Sequence, residues 1–110
     1  MCIRDSDPPD ALFNDPQWVK VVQLAGASRR QQVGEGHFGS LSEVPTHAIT
    51  LTIPALLAPK TILCIVPEAR KAEAVRACLN EPVSEEHPGS ILRTLNHASL
   101  YLDLESSANL

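Results

Sequence analysis

Aromatic side chains are scarce in this sequence: one Trp, one Tyr and two Phe make up 4% of its 110 residues. So small a set does not build the platform on which single-stranded bases stack. Positive charge is scarce too. Nine Lys and Arg stand against thirteen Asp and Glu, giving a formal net charge of −4. An acidic surface repels phosphate backbones, so both shortages argue against a nucleic-acid partner. Cysteine is limited to Cys2, Cys64 and Cys78, odd in number, far apart and without a CxxC pair. Neither a disulfide framework nor a zinc site follows from that spacing. Cys64 and Cys78 sit in apolar or helical surroundings and read as small core residues in a reduced, cytoplasmic setting. Long hydrophobic runs are missing as well. The longest, Ala48 to Pro67, is interrupted by Pro54, Pro59 and Lys60, too broken for a membrane span. The first six residues lack the apolar centre of a signal peptide. The histidines, His37, His47, His87 and His97, form no i,i+4 pair, so metal binding is not supported.

What is present is 44% hydrophobic residues, enough for a packed core. The length fits one small domain and equally a piece of a larger one. Asp7-Pro8-Pro9-Asp10 and Asn14-Asp15-Pro16 are turn chemistry. The β-rich run 18–24 predicts a strand. Residues 25–43, polar and glycine-containing, predict a long loop with one helical turn at 28–33. A second strand is expected over 48–53, followed by a short helix opened by Pro54. The continuous apolar run 62–66 predicts a strand buried on both faces of a parallel sheet. Pro67-Glu68 then opens a helix to about Leu79, with Ala72, Val75 and Leu79 on its apolar face. A short apolar segment at 91–92, a strand at 99–102 and a helix starting at 104 complete the pattern. Strand–helix–strand alternation predicts an α/β fold with a mostly parallel sheet built of βαβ units. So few helices leave part of that sheet uncovered, a second sign of a larger protein.

Lys71 is the most informative single residue. It falls at the start of a helix that directly follows a strand, and the carboxyl end of a strand is where ligands bind in open α/β sheets. Unpaired N–H groups and the helix dipole favour an anion there, whereas Arg70 and Lys71 oppose the dipole unless a phosphate offsets them. A solvated basic pair is the plainer alternative. Arg29-Arg30 could likewise clamp an anion or stand exposed in a loop. Gly34-Glu35-Gly36-His37 has neither nucleotide-binding nor P-loop spacing and is a weak signal. No Gly-x-Ser-x-Gly nucleophile elbow is present.

Read in order, several segments resemble the glucosamine-6-phosphate deaminase (isomerase) family. They are Val44-Pro45-Thr46-His47-Ala48-Ile49-Thr50-Leu51, Ile53-Pro54-Ala55-Leu56-Leu57, Ile65-Val66-Pro67-Glu68-Ala69-Arg70-Lys71-Ala72-Glu73-Ala74-Val75 and Pro82-Val83. Pro88-Gly89-Ser90-Ile91-Leu92, His97 and Leu100-Tyr101-Leu102-Asp103 continue the series. No single motif is strong; the ordered series, from about Asp7 to Leu110, carries the resemblance. It implies a partial, modified Rossmann-type α/β fold, truncated at its N-terminus, with residues 7–110 as the C-terminal part of a sugar-phosphate isomerase-like domain. Residues 1–6 resemble a translated adaptor and read as a non-native leader.

The implied reaction of the intact protein is conversion of glucosamine 6-phosphate and water to fructose 6-phosphate and ammonia. By the same resemblance, Ser6-Asp7-Pro8 matches the end of the catalytic stretch, with Asp7 replacing a glutamate that orients the catalytic histidine. That histidine and the aspartate base belong upstream, so this chain by itself is expected to be inactive. Gly36-His37 lies too near Val44-Pro45 to be the catalytic loop. Lys71 and Arg30 match phosphate-contacting positions, with Arg29 replacing Arg30 if the register slips by one. The small-molecule partner is a sugar phosphate; no metal or organic cofactor is implied, and assembly is left open between monomer and homo-oligomer. Thr50-Leu51-Thr52-Ile53-Pro54-Ala55 departs from the family pattern toward the 6-phosphogluconolactonases, which keeps a lactone hydrolase, or a non-catalytic sugar-phosphate-binding module, as alternatives.

Overall fold

The computed structural model describes residues 11–110, which form two compact units that divide after Leu56. Asp7 and the first six residues lie outside the described residues.

In the first unit, strand β1 (Val19–Gln23) pairs with β2 (His47–Leu51). The pairing is antiparallel, with Val19 opposite Leu51 and Gln23 opposite His47. Two more backbone bonds extend the ladder at its ends, Leu24 N–H to Thr46 O at 2.7 Å and Thr52 N–H to Trp18 O at 2.9 Å. The expected parallel arrangement therefore fails here. The stretch between the strands is long enough to return the chain in either direction, so strand patterns alone could not decide the sense of pairing. That stretch is also more ordered than a loop. Helix α1 spans Gly26–Gly34, and a 3₁₀ turn follows at Leu41–Glu43.

Helix α1 ends where Gly36 adopts a left-handed φ of 80°. There Gly36 N–H donates to Val33 O and His37 N–H to Gln32 O, a Schellman closure. Gly34-Glu35-Gly36-His37 is thus a helix stop, with Glu35 Oε2 3.3 Å from His37 Nε2. Helix α2 (Ile53–Leu57) starts at Thr52, whose carbonyl accepts from Leu56 N–H at 3.0 Å. Pro54, in the first turn, lacks a donor that such a turn leaves unused.

The second unit is a βαβ arrangement. Strand β3 (Ile62–Val66) pairs in parallel with β4 (Ala98–Leu102), Ile62 beside Ala98 and Val66 beside Leu102. Between them come a 3₁₀ turn at Ala69–Lys71, helix α3 (Ala72–Asn80) and a 3₁₀ helix at Pro88–Thr94. Helix α3 buries Ala72 and Val75 of the expected apolar face, with Ala77 beside them, while Leu79 is half-buried. Its outer face carries Arg76, paired with Glu73 at 2.6 Å and Glu81 at 2.7 Å. The two carboxylates raise the guanidinium's already high pKa. Residues 103–110 form turns instead of the expected helix, because Asp103, Ser106 and Ser107 satisfy one another's backbone groups.

Strand β3 is not buried on both faces. Leu63 and Ile65 are 62% and 70% exposed, while Ile62, Cys64 and Val66 face inward. In the first unit Val21 and Ile49, paired across the ribbon, are 66% and 75% exposed. Among the described residues each sheet covers one face and leaves an apolar face open.

Candidate functional site

The parallel pairing of β3 and β4 brings their carboxyl ends side by side, at Val66 and Leu102. The chain leaves β3 through Pro67 and enters an unusual conformation at Glu68, with φ 82° and ψ 144°. Glu68 is the one described non-glycine residue with positive φ. A side chain in that region costs on the order of 1–3 kcal/mol and persists only where the surroundings impose it. They do so here through Asp103, the residue that follows β4. Its Oδ2 accepts Glu68 N–H at 3.0 Å, and its Oδ1 accepts Ser106 N–H at 2.7 Å. Asp103 N–H in turn donates to Oγ of the fully buried Ser106 at 3.1 Å. The backbone N–H groups of Ser106 and Glu68 hold the Asp103 carboxyl below the usual carboxylate range.

Lys71 closes this turn. Its N–H donates to Glu68 O at 3.0 Å, and the residue is the N-cap of α3. The half-buried Lys71 side chain makes no hydrogen bond or ion pair to any described residue, whereas Arg70 Nε lies 2.6 Å from Glu68 Oε2. Of the two adjacent cations, one is neutralised and one is free at the start of a helix with no side-chain cap. Such a cation at the positive end of a helix dipole is suited to an oxyanion.

The arginine pair divides in the same way. Arg29 Nη2 donates to Leu41 O at 3.0 Å and Val44 O at 3.1 Å, tying α1 to the following loop. Arg30 is exposed and without a bonded partner among the described residues. A Cβ on Gly26 would stand 3.0 Å from Arg30 Nη1, so the guanidinium reaches back over the first turn of its own helix. That turn has neither a side-chain cap nor an acidic residue. Arg30 and Lys71 are described in separate units, each near a helix start.

A cavity of about 420 Å³ lies within the second unit, between the inner face of β3 and β4 and the helical layer. Cys64, Val75, Cys78, Leu92 and Leu100 are among the residues that line it. Apolar walls do not suit a sugar phosphate. The lining Arg93 is committed to Glu81 O at 2.5 Å and Cys78 O at 3.3 Å. Burial pushes both thiols up, so they stay protonated and act as small apolar groups. No group of three or more potential metal ligands occurs among the described residues, and no helix among them is long and apolar enough to cross a membrane.

The sequence singles out Lys71 and Arg30 as candidates and gives no such prominence to Glu68 and Asp103. The positive φ of Glu68 has no sequence signature. For Asp103 a signal existed: an Asp at a strand end followed by Ser three residues on is a turn-capping pattern.

Comparison with known proteins gives a consistent answer. No family model matches the chain. The glucosamine-6-phosphate deaminase of Bacillus cereus (strain G9842) is 34% identical over 98 residues, covering 89% of this chain and 36% of that protein. The enzyme of the same name from Oceanobacillus iheyensis is 42% identical over 96 residues, covering 83% and 38%. Among solved structures, a monomeric glucosamine-6-phosphate deaminase described as a missing link of the NagB superfamily superposes with a TM-score of 0.85 at 30% identity. That match covers 96% of this chain and 42% of the other. The chain therefore spans well under half the length of the relatives it matches. By identity along most of its residues and by fold, this chain belongs to the glucosamine-6-phosphate deaminase family.

Proposed function

We propose that this chain is the phosphate-holding, C-terminal part of an enzyme that converts glucosamine 6-phosphate and water to fructose 6-phosphate and ammonia. The observation that carries the reading is the free Lys71 at the carboxyl end of a parallel strand, in a chain of this family. Lys71 holds the substrate phosphate and Arg30 assists it. Arg29 is set aside, because its guanidinium is already committed to two carbonyls. These groups supply position, while proton transfer between C2 and C1 of the opened sugar falls to a carboxylate base upstream. Asp7 orients the histidine that belongs with that base. The open apolar faces of both sheets suit a protein whose further residues cover them.

The test has two parts. Titration of the 110-residue chain with glucosamine 6-phosphate is expected to saturate, and Lys71→Ala to abolish saturation. Equal affinity of wild type and Lys71→Ala would refute the phosphate role. A version extended with its upstream coding sequence is expected to release ammonia from glucosamine 6-phosphate, which the 110-residue chain does not. Hydrolysis of 6-phosphogluconolactone without ammonia release would replace this reading with the hydrolase one.

A further inference from the structure

The turn that presents Lys71 does not hold its own shape. Glu68 stands at φ 82°, where a glutamate is strained, and the 3₁₀ turn after it has no side-chain cap. Four hydrogen bonds link Lys71, through the strained peptide, to a rigid point. Buried Ser106 fixes Asp103 through its Oγ and its N–H, at 3.1 and 2.7 Å. Asp103 Oδ2 fixes the Glu68 N–H at 3.0 Å. The Glu68 carbonyl fixes the Lys71 N–H at 3.0 Å. The register of β3 and β4 places Val66 beside Leu102, so the two loops meet one or two residues beyond the strand ends. Both Asp103 carboxylate oxygens are occupied by backbone donors, which offset the charge it would otherwise set against an incoming anion.

We propose that Asp103 is a positioning residue for the anion site at Lys71: through the Glu68 peptide it sets the turn from which the lysine reaches the phosphate. The inference rests on the reading of Lys71 given above, and it concerns a residue that touches no substrate. A side chain held from a single, rigid turn loses less freedom on binding than one held from a turn that samples several shapes. Removing the carboxylate leaves Glu68 free to relax to negative φ, carrying the Lys71 amide with it. Glycine at position 68 accepts positive φ without strain and so removes the need for the anchor.

The experiment is a titration of the 110-residue chain with inorganic phosphate, followed by backbone amide chemical shifts. Wild type is expected to bind saturably and Lys71→Ala not to bind. Asp103→Ala is expected to weaken binding about tenfold, the effect of losing one charge-assisted hydrogen bond. Adding Glu68→Gly to Asp103→Ala is expected to recover affinity to within about threefold of wild type, since the strain is gone. Adding Glu68→Gln instead, which releases Arg70 from its ion pair as Glu68→Gly does but keeps a side chain at positive φ, is expected not to recover affinity; equal recovery by both would assign the gain to Arg70 and overturn the positioning role. Should Asp103→Ala lose its dispersed amide spectrum, Asp103→Asn replaces it. One carboxamide oxygen cannot serve both the Glu68 and Ser106 donors, and a loss of about threefold is expected. Unchanged affinity in the Asp103 variants, or no recovery on adding Glu68→Gly, while Lys71→Ala abolishes binding, overturns the positioning role alone. A wild-type chain that does not bind phosphate, or a Lys71→Ala chain that binds it normally, overturns the reading of Lys71 and this inference with it.

Discussion

In the first unit buried apolar residues such as Val22, Leu24 and Val44 are joined by polar clamps, two of which reach distant points in the sequence. Thr52, fully buried, donates from Oγ1 to Gln17 O at 2.6 Å, and Arg29 spans to Leu41 and Val44. Asp15, 8% exposed, accepts from Lys20 Nζ at 2.5 Å and Gln17 N–H at 2.9 Å. The second unit closes its sheet with the alanine and valine face of α3 and leaves a cavity behind it. The contrast teaches which parts of a chain are readable. An amphipathic helix follows from local spacing, whereas a fold held by side-chain clamps depends on which distant carbonyls come within reach.

The largest expected effect separates the arginines. Arg29→Ala is expected to destabilise the first unit by about 2–3 kcal/mol, since it removes two charged hydrogen bonds. Arg30→Ala should stay within about 0.5 kcal/mol of wild type, as an exposed side chain without a partner, while lowering sugar-phosphate affinity. Thermal unfolding and a titration read both; equal destabilisation by the two would erase the distinction drawn between them. Next comes Val75→Ala in the second unit. Removing two buried methyl groups from a cavity wall is expected to cost about 1.6 kcal/mol. A loss of less than half that would mean the apolar face contributes less than its burial indicates.

Smaller still, Glu68→Gly in the otherwise native chain is expected to stabilise the second unit by up to about 1 kcal/mol, the relieved strain less the added freedom of the unfolded chain. Destabilisation instead would show that the turn is not strained. Finally, Asp15 and Asp103 both have carboxyls held below the ordinary 3.8 by their hydrogen-bond donors. A depressed folded-state pKa gives stability that is complete above the unfolded value and disappears as pH falls through the folded one. Both units are therefore expected to be insensitive to pH above about 5 and to lose stability below about 4, as Asp15 in the first and Asp103, Glu73 and Glu81 in the second take up protons. Stability that rose on acidification from pH 5 to 3 would contradict both assignments.

Much of the fold is legible in the sequence. Strand β3 falls at Ile62–Val66, where the apolar run placed it, and the α3 face follows from Ala72 and Val75. Within 25–43 the helical turn expected at 28–33 is part of a longer helix, Gly26–Gly34, whose extent is hard to read because it is polar and glycine-bounded and is held partly by the Arg29 bonds to Leu41 and Val44. Burial of β3 on both faces was expected from composition, yet Leu63 and Ile65 are open, because an apolar strand specifies a need for cover without supplying it.

By itself the sequence determined the α/β class, the strand and helix that bracket Lys71, and the ordered segments that mark the family; all of these follow from local periodicity, turn chemistry and residue order. Tertiary structure decided the antiparallel sense of β1 and β2, the commitment of Arg29 and the freedom of Arg30. It also decided the strained turn at Glu68 and the carboxylate of Asp103 that holds it. Apart from the freedom of Arg30, each of these depends on a group 12 to 35 positions away in the chain reaching hydrogen-bond distance, which only the folded backbone brings about.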